Sequence, residues 1–262
     1  MTEIFETHAH YDDGRFDPDR EELLEKTLPE AGIRYVVHIA ADMESVKTTD
    51  ELSKKYDYIY GALGIHPEAV ADLCENDISM IKERVLSNKK IRAIGEAGFD
   101  LQEGYPEKDL QEKWFRRQIA LSKELDLPIV VHSREAASDT YRVLKDEYGS
   151  CTDRRNGIVH CFSYAPEEAR KYTELGFFIG VGGVVTFKNG RKLKSVVEEI
   201  PLEKTVLETD SPYLAPVPFR GERNTSANLT YVAAEIAGIK GISVEEVCRV
   251  TLENAKLLYG IG

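Results

Sequence analysis

The sequence predicts an α/β fold, a (β/α)8 TIM barrel in which residues 1–262 form a single domain. Three observations carry that reading. The length of 262 residues suits one barrel, for which about 250 is typical. Eight short apolar runs alternate with amphipathic helical patterns along the chain, the mark of repeated βα units and a parallel sheet. A histidine, glutamate or aspartate stands directly after most of those runs.

Taken in order, strands are expected at residues 4–7, 35–40, 59–64, 91–95, 128–131, 157–159, 177–181 and 205–207. Several are continuous apolar runs (Y-V-V-H-I-A, P-I-V-V, F-F-I-G-V), as strands buried on both faces require. A helix is expected over 107–126, where Leu110, Trp114, Phe115, Leu121 and Leu125 recur near helical spacing. Pro166, Glu167 and Glu168 read as a helix start, with proline in the first turn and acids at the positive end of the dipole. Gly176 stands where that helix should stop, and Ser243 to Glu246 form a capping-box pattern opening another. Eight strands, each followed by a helix, exceed what an open doubly wound sheet usually needs, so a closed barrel is expected. Residues 215–228, with three charges and two prolines, read as a long loop after the eighth strand. No Gly/Ser-rich tract, low-complexity run or short-period repeat divides the chain.

With 42% hydrophobic and 31% charged residues, the chain can bury a sizeable core and stay soluble. Its opening, MTEIFETHAHYDD, lacks the basic start and apolar stretch of a secretory signal. No apolar run approaches the roughly 18 residues of a membrane span. A cytoplasmic location is therefore expected, with no membrane and no obligate protein partner. Cys74, Cys151, Cys161 and Cys248 are widely spread without a C-x-x-C pair and read as reduced thiols. The formal net charge of -12 argues against gripping long duplex DNA through many phosphates, which requires a basic surface. Any nucleic acid handled must be a short stretch or an end.

The polar residues after the strands carry the chemistry. His8 and His10 follow the first, His66 the third, Glu96 the fourth, His132 the fifth, His160 the sixth and Asp210 the eighth. In a barrel all of them converge on the C-terminal face, where barrel active sites lie. Residues at i and i+2 of an extended segment share a side, so H-x-H can chelate one ion. Imidazole with carboxylate suits zinc, manganese or iron-type ions better than calcium, which prefers all-oxygen shells. A lone histidine such as His38, inside an apolar strand, reads instead as a satisfied core residue.

The stretches E-T-H-A-H, G-I-H-P, A-I-G-E-A-G-F-D, L-P-I-V-V-H-S-R-E-A, H-C-F-S, L-E-T-D-S-P-Y-L-A-P and F-R-G-E-R-N occur in this order. Through them the chain resembles, over nearly its whole length, the TatD family of metal-dependent deoxyribonucleases. The resemblance implies a (β/α)8 barrel, a dinuclear metal centre and phosphodiester hydrolysis. It also implies that His8, His10 and Asp210 hold one metal, that His132 and His160 hold the second, and that Glu96 bridges both. Two divalent ions per chain are thus expected, with zinc, manganese, magnesium and iron all open. The chain departs from the family pattern in two places. The family often shows G-x-H-P-H where Glu68 follows Pro67 here, and R-N-E-P where this chain has Asn224, Thr225 and Ser226. Both departures concern substrate preference.

Two metals and a bridging carboxylate such as Glu96 would supply an activated water and charge relief to a phosphodiester. Asp210 is the candidate for orienting that water and accepting its proton, with a plain ligand role left open. His66 and Arg134 are candidates for substrate phosphate, against a loop-capping role and a surface ion pair respectively. Lys188, Arg191, Lys192 and Lys194 after strand seven, with Arg220 and Arg223 after strand eight, form a local cationic patch on the customary phosphate side of a barrel. A solvated helix face is its alternative. Tyr213 and Phe219 are either stacking surfaces for an unpaired base or rim packing. The expected partner is DNA, as ends or short single strands. The rival activities are hydrolysis of a small ester, amide or phosphoester, and a non-catalytic metal-binding barrel. The former often places a lysine after strand four, where this chain has Glu96.

Overall fold

In the computed structural model, which describes residues 2–149 and 155–262, eight parallel strands form one sheet in the order of the chain. They are β1 (Ile4–Ala9), β2 (Ile33–Ile39), β3 (Ile59–Leu63), β4 (Ile91–Asp100), β5 (Ile129–Arg134), β6 (Gly157–Val159), β7 (Phe177–Val181) and β8 (Thr205–Leu207). Around them lie helices Met43–Lys55, Glu75–Ser87, Lys108–Glu124, Ala137–Tyr148, Pro166–Glu174, Arg191–Glu199, Leu229–Lys240 and Val244–Tyr259. The barrel closes between β1 and β8. The His10 amide donates to the Ser211 carbonyl (2.8 Å), the Asp210 amide to the His8 carbonyl (3.0 Å), and Thr7 Oγ1 to the Leu207 carbonyl (2.9 Å).

The parallel strands are apolar because both faces are covered. Val37, Ile39, Val130, Ile158 and Val206 belong to one cluster with Leu258 and Tyr259 of the last helix. Phe5 stacks between Tyr35 and Tyr259, with ring centroids 5.1 and 5.8 Å away, and is 2% exposed. Truncating such a ring typically costs about 3–5 kcal/mol. Outside the strands, Trp114 and Leu121 of the Lys108–Glu124 helix pack into one buried cluster, and Phe115 and Ile119 into another.

Local sequence explains the helix ends. Asp42 and Ser45 form a reciprocal capping box at Met43–Lys55. Pro166 opens its helix as its first residue, and Gly176 follows that helix with φ +80°, a conformation that glycine adopts without strain. Ser243 caps the last helix by accepting from the Glu246 amide. Residues 215–228 contain only the 3-10 turn Ser226–Asn228. Among the described residues no helix is long and apolar enough to cross a membrane. Cys74, Cys161 and Cys248 are free thiols, whereas Cys151 lies outside the described residues.

Candidate metal centre

Two strands carry an extra residue where the site begins. Between Glu6 and Ala9, β1 spends three steps against two on β2 (Val36 to His38). Between Ile94 and Ala97, β4 likewise spends three steps against two on β5 (Ile129 to Val131). Such bulges re-aim side chains, and they fall at His8 and at Glu96. The strand-end expectation needs adjusting accordingly. His8, Glu96 and His132 lie within their strands, because β4 continues five residues beyond the apolar run that ends at Gly95. Gly64 and Gly95 allow β3 and β4 to approach closely here; a Cβ on Gly64 would lie 2.4 Å from Gly95 Cα.

All six predicted ligands come together around Glu96, which is 3% exposed. Its Oε1 lies 2.7 Å from His132 Nδ1 and 2.8 Å from His160 Nε2. Its Oε2 lies 3.3 Å from His8 Nε2 and 3.9 Å from His10 Nε2. Asp210 Oδ1 closes the second side, 3.5 Å from His10 Nε2 and 3.7 Å from His8 Nε2. Within each of the sets His8, His10, Asp210 and Glu96, His132, His160, the possible ligand atoms all lie within 4.8 Å of one another. The left-handed backbone of Asp210 (φ 58°) and of Cys161 (φ 45°) accompanies these turns, a conformation that is uncommon for non-glycine residues and enriched at functional sites.

The donor chemistry fits divalent cations. A neutral imidazole has one N–H, yet His132 faces carboxylate oxygens on both sides: Glu96 at Nδ1, and Asp100 Oδ2 3.0 Å from Nε2. Either His132 is an imidazolium or a cation is shared between Nδ1 and Glu96. His10 donates from Nδ1 to the Ile39 carbonyl (3.0 Å), which leaves a lone pair on Nε2, only 3.1 Å from His8 Nε2. His8 Nδ1 is buried and has no partner among the described residues.

The buried carboxylates and imidazoles shift one another's titration. Burial opposes charge on Glu96, but the charge of His160 and the hydrogen bonds from His132 and His160 outweigh it and hold its carboxyl well below the usual range. Burial likewise opposes charge on His132, His160 and His10. Their carboxylate neighbours prevail, raising His132, raising His160 strongly and bringing His10 to about 9. His8 is the exception. Burial, with His160 stacked at 3.7 Å, lowers it and keeps it neutral.

Two carboxylates that sequence reasoning missed stand behind these histidines. Asp100, the last residue of β4, faces His132 Nε2. Glu208 Oε2 lies 3.8 Å from His160 Nδ1, both atoms being buried and unpartnered among the described residues, while Glu208 Oε1 accepts from the Cys161 amide. The signal was available in the sequence: Asp100 and Glu208 are acids inside the quoted motifs, beside the ligand positions. Glu6 is a third such acid. It accepts from the His8 and Thr209 amides (3.0 and 2.9 Å) and from the Thr209 and Ser226 hydroxyls (2.6 and 2.8 Å). It thereby ties the ends of β1 and β8 to Ser226.

The remaining candidates divide. The His66 ring stands edge-on to His132, centroids 4.3 Å apart, and its Nδ1 accepts from the Glu68 amide (3.2 Å). Burial lowers its pKa to about 4, so His66 is neutral and its remaining proton is on Nε2. Arg134 ends β5, exposed and without an ion pair among the described residues, and Lys188 is exposed in the segment after β7. Lys194 is bound to Glu235 (2.6 Å), and Arg220 lies over the Phe187 ring at 4.4 Å. Arg223 is bound to Asp19. Phe219 packs edge-on against Tyr231, whereas Tyr213 is exposed beneath the Arg15 guanidinium. His38 is buried with both nitrogens partnered, by Thr49 Oγ1 and the Asp12 amide.

Known proteins share this arrangement of chain. A family model described as TatD related DNase matches residues 5–260. The uncharacterized metal-dependent hydrolase YabD of Bacillus subtilis is 42% identical over 259 residues, which cover 99% of this chain and 100% of that protein. The uncharacterized metal-dependent hydrolase YcfH of Escherichia coli K12 is 32% identical, covering 98% and 96%. The crystal structure of YjjV, a TatD homolog from E. coli K12, superposes with a TM-score of 0.91 at 28% identity, covering 99% and 98%.

Proposed function

This chain belongs to the TatD-related DNase family of metal-dependent hydrolases, and we propose that it hydrolyses phosphodiester bonds at DNA ends or in short single strands. One observation carries the reading. The two oxygens of Glu96 face two separate sets of donors, His132 with His160 on one side and His8 with His10 and Asp210 on the other. That is the arrangement of a carboxylate between two cations. His8, His10 and Asp210 would hold one divalent ion, His132 and His160 the other, and Glu96 both. Ions bound there supply an activated water and offset charge on the phosphoryl oxygens.

The chain's own groups do the rest. Burial opposes charge on Asp210, but its neighbours His10 and His160 hold its carboxyl below the usual range. It is fixed by the hydrogen bond from its amide to the His8 carbonyl and by the one its own carbonyl accepts from the Tyr213 amide. An ionised carboxylate in that position orients the attacking water and accepts its proton. His66, with its hydrogen on Nε2, donates to a phosphate oxygen. The Arg134 guanidinium, free of acidic partners among the described residues, takes phosphate oxygens in its planar fork. Lys188, Arg191 and Lys192 extend the positive track.

The test is cleavage by metal-loaded protein of end-labelled single-stranded DNA, duplex DNA and RNA, alongside a panel of small esters. Fastest turnover of short single-stranded DNA or DNA ends is expected. Turnover of the esters alone would replace the nuclease reading with that of a small-ester hydrolase.

A further inference from the structure

We infer that Asp100 is a positioning residue that decides which nitrogen of His132 faces the centre, an inference that rests on the dinuclear reading above. Asp100 is 2% exposed, and its place is fixed independently of His132. Gln111 of the Lys108–Glu124 helix holds its backbone from both ends, accepting from the Asp100 amide (2.9 Å) and donating to its carbonyl (2.8 Å). The Gln102 amide donates to Oδ1 (3.1 Å). Only Oδ2 is left, and it lies 3.0 Å from His132 Nε2.

An ionised carboxylate accepts and never donates. Asp100 therefore claims an Nε2 hydrogen, and the single lone pair of neutral His132 falls on Nδ1, 2.7 Å from Glu96 Oε1. Partners of this kind fix ring orientation and raise ligand basicity, and their loss typically lowers metal affinity about 10–100-fold. Direct ligation by Asp100, with His66 and His132 around a further ion, does not follow from their proximity. His66 Nδ1 already accepts from Glu68, so its other nitrogen offers a hydrogen rather than a lone pair.

The test titrates zinc ions alone into metal-stripped wild type, Asp100→Asn and Asp100→Ala, followed by calorimetry. The wild type should bind two equivalents. In both variants one equivalent should weaken about 10–100-fold and the other should change little. The melting temperature of metal-stripped Asp100→Asn should stay near that of wild type, which separates positioning from folding. Long-range 15N spectra of zinc-loaded wild type give a second reading that needs no variant, and should place the His132 hydrogen on Nε2. Variants that titrate like wild type, or a hydrogen on Nδ1, would overturn the role of Asp100 while leaving the dinuclear reading intact. A wild type that takes up no zinc would instead remove that reading, and this inference with it.

Discussion

Arg223 and Asp19 form a two-pronged ion pair, Nη1 to Oδ1 and Nη2 to Oδ2 both at 2.6 Å, and Arg223 Nη1 also donates to the Arg15 carbonyl (2.8 Å). The guanidinium ties the loop after β8 to the segment after β1 and has few donors left for a substrate. Arg223→Ala should therefore leave the KM for DNA nearly unchanged. Its cost in stability should be at most about 1 kcal/mol, as for other partly solvated pairs. Steady-state kinetics and urea unfolding on one preparation check both.

The cations without an ion pair among the described residues should behave differently. Replacing Lys188, Arg191 and Lys192 together by Ala should raise KM and leave kcat near its original value, since uniform binding is what is lost. With a net charge of -12, few phosphates are gripped, and affinity should fall only shallowly with salt. Proteins making 6–10 phosphate contacts lose about 10³–10⁵ between 50 and 200 mM. A salt series of single-turnover cleavage on a short oligonucleotide measures the slope. A steep slope that survives the triple replacement would place the DNA track elsewhere on the barrel.

Asp210→Asn should show the opposite pattern, lowering kcat by about 10²–10⁴ through loss of the proton acceptor. Metal content decides how that loss is interpreted. Unchanged metal content would assign it to the acceptor role, whereas loss of one ion per chain would make Asp210 chiefly a ligand.

How much of this was legible in the sequence follows from what periodicity can register. All eight strands show as apolar runs because a parallel sheet covered on both faces selects them. The runs mislead where function interrupts them. Glu96 and Asp100 are strand residues, but the apolar run stops at Gly95, and beyond it only Ala97 and Phe99 alternate with polar or small residues. The extra residues in β1 and β4 are set by pairing with neighbouring strands, which one strand's sequence does not record. The six candidate ligands were readable because their residue types are rarely gathered at strand ends. Asp100 showed only as an acid inside a motif, because the contact that singles it out is with the second nitrogen of a histidine 32 positions away. The cationic patch was only partly legible, since Lys194 and Arg223 find their acids 41 and 204 positions distant.

Away from the site, Glu112 gives a pH dependence. Arg142 and Arg116 bind its carboxylate, with the Arg142 bonds the larger cause, and bring its pKa down to about 2 from its ordinary 4.5. A depressed carboxyl contributes stability that is present above the unfolded pKa and lost as pH falls through the folded one. Glu112→Gln should thus destabilise the protein at pH 7, by less than about 1 kcal/mol because the pair is partly solvated. The difference from wild type should narrow between pH 4.5 and about 2. Urea midpoints across that range check it.

Elemental analysis of the purified active protein tests most directly whether Glu96 stands between two cations. Metal content should approach two divalent ions per chain, and Glu96→Ala should lose most of it together with activity, since both ions share that carboxylate. Active protein without divalent metal, or Glu96→Ala with full occupancy and full activity, would contradict the account.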